Sequence, residues 1–196
     1  VAPLFHVTGE VAHLATAALS GIPLVLYYRF DPGETLRLIE QWKVTVTVAS
    51  ITVYIALLNH PDIKKRDLSS FIKAYSGGAP VSEATVAQFE EATGLYLYNV
   101  YGMTETCGPG CYIGGKDAIE RAGSTGRGYF LTDIRVVDED GNDAPAGEPG
   151  QVLMRGDHNM VGYWNRPEED ALVYRGDWFC GGDLAAIDED GYLWYH

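Results

Sequence analysis

The chain has 196 residues, 46% of them hydrophobic, which is enough to fold around one sizeable core or two smaller ones. Its 27 acidic residues outnumber 14 lysines and arginines, and the net charge of -13 disfavours nucleic acid or an anionic membrane as the main partner. Three cysteines, an odd and sparse number, are typical of a reducing compartment, so we expect a cytoplasmic protein. The apolar stretch 22–28 is too short for a transmembrane segment.

Helix and strand signals alternate through the first part of the chain. An alanine- and leucine-rich run over 11–20 ends at Gly21, and Asp31 followed by Pro32 starts a helix toward Trp42. Further helices are predicted over 52–59 and 82–93, and strands over 23–28, 44–49, 71–75 and 95–100. This alternation predicts an α/β part over 1–122, in which helices flank a parallel sheet.

Glycines, acidic turns and short alternating runs dominate residues 123–196. This pattern predicts a smaller antiparallel β-rich subdomain whose hairpins turn at Asp-Gly steps. The sequence "DEDG" begins at Asp138 and again at Asp188, but neither copy has the further ligands and the distal glutamate of a calcium loop. Both copies are therefore interpreted as hairpin turns.

Two polar turns follow successive predicted strands, at the sheet edge where α/β proteins bind ligands. In "YSGGAP", Gly77 and Gly78 allow a flat ligand to approach the backbone closely, although a tight strand-to-helix turn needs the same residues. In "NVYGMTE", the aromatic ring can stack on a base, the glycine allows a turn, the threonine can bond a phosphate oxygen and the glutamate suits magnesium; these four are Tyr101, Gly102, Thr104 and Glu105. The alternative is a solvated loop.

Other motifs are weaker. "GCYIGGK" has the glycine and lysine spacing of a phosphate loop, but Asp117 stands where a metal-binding hydroxyl is needed. Asp183, which follows two glycines, could accept both hydroxyls of a ribose or could be an ordinary turn residue. The sequence contains no G-x-S-x-G, no G-x-G-x-x-G and no paired C-x-x-C, which disfavours a hydrolase, a nicotinamide-binding unit and a zinc site.

Taken in order, the segments "PLFHVTG", "YSGGAP", "NVYGMTE", "GQVLMRG", "VGYWNRPE" and "GGDLAAIDEDGYL" resemble the adenylate-forming superfamily over nearly the whole chain. That family includes acyl- and aryl-CoA synthetases, peptide-synthetase adenylation domains and luciferases, and "VGYWNRPE" and "YGMTET" are most similar to the acyl-CoA synthetases. The family usually has threonine at Gly181, glutamate at Gln151 and proline at Gly128, so the branch is left open.

The resemblance implies a role for each matching residue. Adenine would be lined by Gly78, Ala79 and Pro80, bonded by Asn99 and packed by Tyr101. The ribose would be held by Asp183, the α-phosphate by Thr104 and magnesium by Glu105. The carboxylate substrate and its acyl channel would be bordered by His6, Gly77, Gly102 and Met103.

The resemblance also implies a reaction with ATP, Mg²⁺ and coenzyme A. A carboxylate, expected to be that of a fatty acid, attacks the α-phosphorus of ATP and releases pyrophosphate, giving an acyl-adenylate. The coenzyme A thiol then displaces AMP from the acyl group. The alternatives are loading of a carrier protein and a non-catalytic adenine-nucleotide-binding domain. The family's phosphate loop is expected upstream of residue 1, and its C-terminal domain after residue 196. The isolated segment is therefore expected to be folded, inactive and prone to form a homodimer through exposed apolar surface.

Overall fold

The computed structural model describes residues 2–79 and 81–195, which form two compact units, the first ending at Asn99 and the second beginning at Val100. The predicted fold class is confirmed, because parallel strands with flanking helices occur together with an antiparallel sheet. The predicted subdomain boundary at residue 122 stays a prediction. Among the described residues, no helix is long and apolar enough to cross a membrane.

The first unit contains the helices α1 (Val7–Gly9), α2 (Thr16–Ser20), α3 (Pro32–Trp42), α4 (Ile51–Leu58) and α5 (Glu83–Thr93), with a π-helical segment (Glu10–Ala15) between α1 and α2. Its strands are β1 (Val46–Ala49), β2 (Lys73–Gly77) and the start of β3 (Leu97–Met103), in the order β1-β2-β3. Strands β1 and β2 pair in parallel, with Val46 opposite Lys73. This arrangement brings the carboxyl end of β2 to the edge predicted to carry ligands.

Local signals explain where these helices begin and end. The Asp31 carboxylate accepts a hydrogen bond from the Glu34 N–H at 2.7 Å, and Pro32 occupies the first turn of α3, as predicted. Helix α2 ends at Gly21, which has a φ of 64°. His13 lies in the π-helical segment, and its Nε2 is 3.0 Å from the Thr47 hydroxyl oxygen. His13 therefore joins this segment to β1.

The core of the first unit lies between its helices and strands. Tyr54 is fully buried, its ring meets Phe89 edge-on at 5.2 Å, and its hydroxyl donates to the Tyr75 carbonyl at 2.8 Å. The other buried members of this core are Leu36, Ile39, Ala49, Leu57, Ile63, Phe71, Ala74, Val81, Val86 and Leu97. The core therefore draws on every helix from α3 to α5 and on all three strands of the unit.

One predicted strand of the first unit is wrong. Residues 23–28 form no strand, and Leu26 and Tyr28 are exposed. The Tyr27 hydroxyl instead lies 2.6 Å from that of Thr35 in α3, so this apolar run is a connection packed on a helix. The strand predicted over 71–75 is real but begins at Lys73, because the Phe71 N–H bonds the Leu68 carbonyl in a turn.

The second unit contains the rest of β3, a 3₁₀ turn (Thr104–Thr106), β4 (Gly108–Tyr112), α6 (Gly115–Glu120), β5 (Arg127–Gly128), β6 (Asp133–Val137), β7 (Gly150–Arg155), α7 (Pro167–Val173), β8 (Tyr174–Arg175), β9 (Trp178–Ile187) and β10 (Leu193–Tyr195). Strands β3, β4 and β5 are neighbours in this order and pair in antiparallel fashion. A second sheet of this unit has the strand order β10-β9-β7-β6, and β8 pairs with β9. Both predicted "DEDG" turns are confirmed, since Gly141 and Gly191 donate their N–H groups to the carbonyls of Asp138 and Asp188.

The larger buried cluster of the second unit is formed by residues of its second sheet together with Cys111 of β4. Its buried members are Cys111, Val136, Val152, Met154, Phe179, Ala185 and Leu193, and Tyr101 and Met103 pack against them. Ser124, which precedes β5, is bonded to this sheet, because its hydroxyl donates to the Leu193 carbonyl at 2.8 Å. The end of β3 therefore packs against this cluster through Tyr101 and Met103.

Candidate functional site

The first unit holds the residues predicted to line the adenine. Gly77 is the last residue of β2, and Gly78 follows it with a φ of 82°, in the left-handed region that favours glycine. Ala79 is exposed beside them, and Asn99 is 8% exposed in β3, the strand next to β2. The predicted adenine-lining residue Pro80 lies outside the described residues. The edge formed by β2 and β3 therefore carries the described members of this group.

His6, predicted to border the carboxylate substrate, caps the first helix. Its Nδ1 accepts a hydrogen bond from the Thr8 N–H at 3.2 Å, and its side chain is exposed. This bond satisfies one of the free N–H groups at the start of the helix. Its contact with a substrate stays a prediction.

Tyr101 and Asp183, which lie 82 residues apart in the chain, are brought into direct contact in the second unit. The Tyr101 hydroxyl donates a 2.7 Å hydrogen bond to Asp183 Oδ2. Burial raises the pKa of the Tyr101 hydroxyl, and its bond to the carboxylate raises that pKa further, so the group stays a donor. The Tyr195 ring lies 4.4 Å from the Tyr101 ring and limits its movement. Asp183 retains acceptor capacity for other hydroxyl donors, because a carboxylate offers about four lone-pair sites.

Thr104 and Glu105 stand on the 3₁₀ turn that follows β3. Thr106 is fully buried at the end of this turn, and its hydroxyl donates to the Gly108 carbonyl at 3.0 Å. Thr104 is exposed and Glu105 is half-buried. The Glu105 side chain accepts a 2.9 Å hydrogen bond from the Tyr163 hydroxyl at Oε1. Partial burial and this bond raise the pKa of Tyr163.

Gly102 does not form the turn that its sequence context predicts. It lies within β3, at a bulge where the register with β4 shifts between Tyr101 and Gly102. A Cβ at this position would lie 1.9 Å from the Gly108 carbonyl oxygen, so only glycine allows the two strands to approach this closely. The turn begins two residues later, at Thr104.

The Met103 side chain fills the space next to Gly181, the position where the resemblance leads us to expect threonine. A Cβ at residue 181 would lie 2.6 Å from Met103 Cε. Any larger side chain at this position must therefore displace the flexible methionine. The glycine at position 181, where the family usually has threonine, thus leaves the room that the Met103 side chain occupies.

Glu105 is suited to binding a cation together with an anionic ligand such as a phosphate. In the described ranges, no group of three or more histidines, cysteines or acids is arranged to hold a metal. Mg²⁺ usually binds through one or two carboxylates together with substrate phosphates, and Glu105 supplies one such carboxylate. Asp117, in the segment that resembles a phosphate loop, instead accepts a 2.7 Å hydrogen bond from the Tyr192 hydroxyl.

Sequence reasoning missed three residues of this site: Thr106, Tyr163 and Tyr195. Tyr163 belongs to the quoted block "VGYWNRPE", but its hydroxyl meets a carboxylate 58 residues away, which no local pattern indicates. Thr106 follows directly on the predicted motif and could have been identified as the residue that closes its turn. The ring contact between Tyr195 and Tyr101, in contrast, depends on where β10 lies.

A sheet with parallel strands and flanking helices, followed by an antiparallel sheet, is the arrangement of the N-terminal domains of adenylate-forming enzymes. The chain belongs to the AMP-binding enzyme family, which matches residues 1–164.

Similar proteins with named activities are much longer than this chain. It is 38% identical over 193 residues to a feruloyl-CoA synthase of Amycolatopsis sp, a match that covers 98% of this chain and 39% of that protein. It is 36% identical over 197 residues to a long-chain-fatty-acid–CoA ligase of Bacillus subtilis (strain 168), covering 99% and 35%. The O-succinylbenzoate coenzyme A synthetase of Bacillus subtilis, solved in complex with ATP and magnesium ion, matches with a TM-score of 0.89 and 28% identity, covering 99% and 40%. The chain thus spans about two-fifths of the length of these relatives.

Proposed function

We propose that this chain is a nucleotide-holding part of an AMP-forming acid–CoA ligase. Such an enzyme joins a carboxylic acid to AMP, releases pyrophosphate and then transfers the acyl group to coenzyme A. The observation that carries the proposal is the pair formed by Tyr101 and Asp183, an aromatic ring and a carboxylate held 2.7 Å apart by a hydrogen bond. Such a pair suits a nucleoside, because the base can stack on the aromatic ring and the ribose hydroxyls can donate hydrogen bonds to the carboxylate.

The nucleotide contacts follow from the chemistry of each side chain. The Tyr101 ring packs on adenine, and the Asp183 carboxylate accepts hydrogen bonds from the ribose hydroxyls. Asn99 bonds the exocyclic amine of adenine, and the backbone of Gly78 and Ala79 lies along the plane of the base. We also assign Pro80 to this surface from the family resemblance. These assignments are supported by the similar O-succinylbenzoate coenzyme A synthetase, which was solved in complex with ATP and magnesium ion.

Thr104 and Glu105 are assigned to the phosphates. The exposed Thr104 hydroxyl donates to an oxygen of the α-phosphate, which carries more negative charge as the carboxylate attacks. Glu105 would hold Mg²⁺ against the phosphates, and a bound Mg²⁺ would offset charge on the phosphoryl oxygens. The protein's own contribution is positioning, because two anions must be held in line for the attack.

We assign the acid substrate, from the family resemblance, to His6, Gly77, Gly102 and Met103. A fatty acid is our first expectation, and the 36% identity to a long-chain-fatty-acid–CoA ligase supports it. The second candidate is an aromatic acid, which the 38% identity to a feruloyl-CoA synthase favours. Coenzyme A is the proposed acceptor, because both relatives are named for it.

The test is an activity assay on the complete gene product that contains this segment. Purified protein is incubated with ATP, Mg²⁺ and a panel of fatty and aromatic acids, and pyrophosphate release is followed with coenzyme A present or absent. We expect acid-dependent pyrophosphate release and an acyl-CoA product. An acyl group found on an added carrier protein would show that the carrier protein, and not coenzyme A, is the acceptor. Nucleotide binding without acid-dependent turnover would favour a non-catalytic nucleotide-binding domain and refute the proposal.

A further inference from the structure

Glu105 is held at two points by one short segment of the second unit, residues 160–163. The Met160 N–H donates a 2.7 Å hydrogen bond to the Glu105 backbone carbonyl. The Tyr163 hydroxyl donates a 2.9 Å hydrogen bond to Oε1 of the Glu105 side chain. The segment thus contacts both the backbone and the carboxylate of the residue that we assign to the metal.

The segment 160–163 is itself anchored to the elements that follow it. The Tyr163 N–H donates to Asp170 Oδ1 in α7 at 2.8 Å, and the Tyr174 hydroxyl donates to the Met160 carbonyl. Gly162 has a φ of 146°, and a Cβ there would lie 2.6 Å from Asp170 Oδ2. A glycine is therefore needed for the segment to lie this close to α7.

We propose that Tyr163 is a positioning residue for Glu105, one that orients its carboxylate for a phosphate-bound Mg²⁺. The inference rests on the proposed function, since it concerns the metal that Glu105 would hold. A glutamate on a half-exposed turn can adopt several rotamers, and only some of them direct an oxygen toward a bound nucleotide. A phenol that donates to Oε1 selects one orientation and leaves the remaining lone pairs of the carboxylate for the cation.

A tyrosine suits this task because its hydroxyl is carried on a rigid ring with few rotatable bonds. Its backbone is also fixed, through Asp170, so both ends of the residue are restrained. Phenylalanine would keep the ring and its packing and would remove only the donor. Tyr163→Phe therefore tests the orientation of Glu105 separately from the stability of the unit.

The test compares two variants of the complete gene product that each lose a tyrosine–carboxylate hydrogen bond. Tyr163→Phe removes the bond to Glu105, and Tyr192→Phe removes the 2.7 Å bond to Asp117, outside the proposed site. Calorimetry measures ATP binding with and without Mg²⁺, and AMP binding without the metal. We expect Tyr163→Phe to reduce the Mg²⁺-dependent gain in ATP affinity by about tenfold, the lower end of losses seen for residues that support metal ligands. AMP affinity should stay unchanged, and Tyr192→Phe should match the wild type in both measurements.

A third variant tests the backbone part of the support. Gly162→Ala keeps the Tyr163 and Glu105 side chains but pushes the segment away from Asp170, so it should reduce the same Mg²⁺-dependent gain. A gain that is unchanged or larger in folded Tyr163→Phe would overturn the positioning role. A wild-type protein whose ATP affinity does not respond to Mg²⁺ would instead overturn the metal role of Glu105, and with it the proposed function of that residue.

Discussion

Replacing Asp183 by alanine should weaken AMP binding. The carboxylate is proposed to accept the ribose hydroxyls, and its Oδ2 already accepts the Tyr101 hydroxyl at 2.7 Å. A hydrogen bond to a charged group contributes about 1.5–3 kcal/mol. Because each 1.4 kcal/mol changes a dissociation constant about tenfold, Asp183→Ala should raise the dissociation constant for AMP by about ten- to a hundredfold.

Tyr101→Phe should have a smaller effect, because it keeps the ring that packs on adenine and removes only the hydroxyl that orients Asp183. A loss of about 0.5–1.5 kcal/mol in binding free energy is expected, which is the usual range for one hydrogen bond. The two changes should not be additive. Once Asp183 is alanine, the Tyr101 hydroxyl has no carboxylate to orient, so adding Tyr101→Phe should change AMP affinity little.

The assay is calorimetric titration of AMP into the complete gene product and its three variants, each shown to be folded by circular dichroism. Asp117→Ala is the matched control, since it removes a carboxylate that accepts a tyrosine hydroxyl at the same distance of 2.7 Å but outside the proposed site. An AMP affinity of Asp183→Ala equal to that of the wild type would refute the ribose assignment. Full additivity of the two substitutions would refute the orienting role of Tyr101.

Further predictions concern the phosphate side of the site, the bulge, the pH dependence of stability and the isolated segment. Glu105→Gln should slow acid-dependent pyrophosphate release more than it weakens AMP binding, because AMP lacks the phosphates that a metal would bridge; equal losses would indicate a packing role. Gly102→Ala should lower the free energy of unfolding by at least about 1–3 kcal/mol in urea denaturation, since its Cβ would lie 1.9 Å from the Gly108 carbonyl oxygen. Burial lowers the pKa of His13 from 6.5, so the unfolded chain binds the proton first as the pH falls. Stability should therefore decrease below about pH 6.5 and level off above it, and His13→Gln should remove that part of the slope. The isolated 196-residue chain should fold but show no acid-dependent pyrophosphate release with ATP and Mg²⁺, and turnover free of contaminating enzyme would contradict this.

Features that depend on neighbouring residues could be predicted from the sequence. The start of α3 at Asp31 and Pro32, its end before Lys43 and the two "DEDG" hairpins follow from local hydrogen bonding and backbone preference. The α/β alternation and the antiparallel second part follow from periodicity, and the order of the motifs indicated the family that the comparison then showed. The run 23–28 was misread because its apolar residues are compatible with both a strand and a packed connection.

Tertiary structure alone decided which side chains meet. Tyr101 finds Asp183 across 82 residues, and Glu105 finds Tyr163 across 58, because β9 and the segment before α7 are folded back toward the end of β3. The need for glycine at position 102 likewise comes from the approach of another strand and not from a turn. Hydrogen bonds and steric contacts act over a few ångströms, so partners that are distant in the chain are specified only once the sheets have paired.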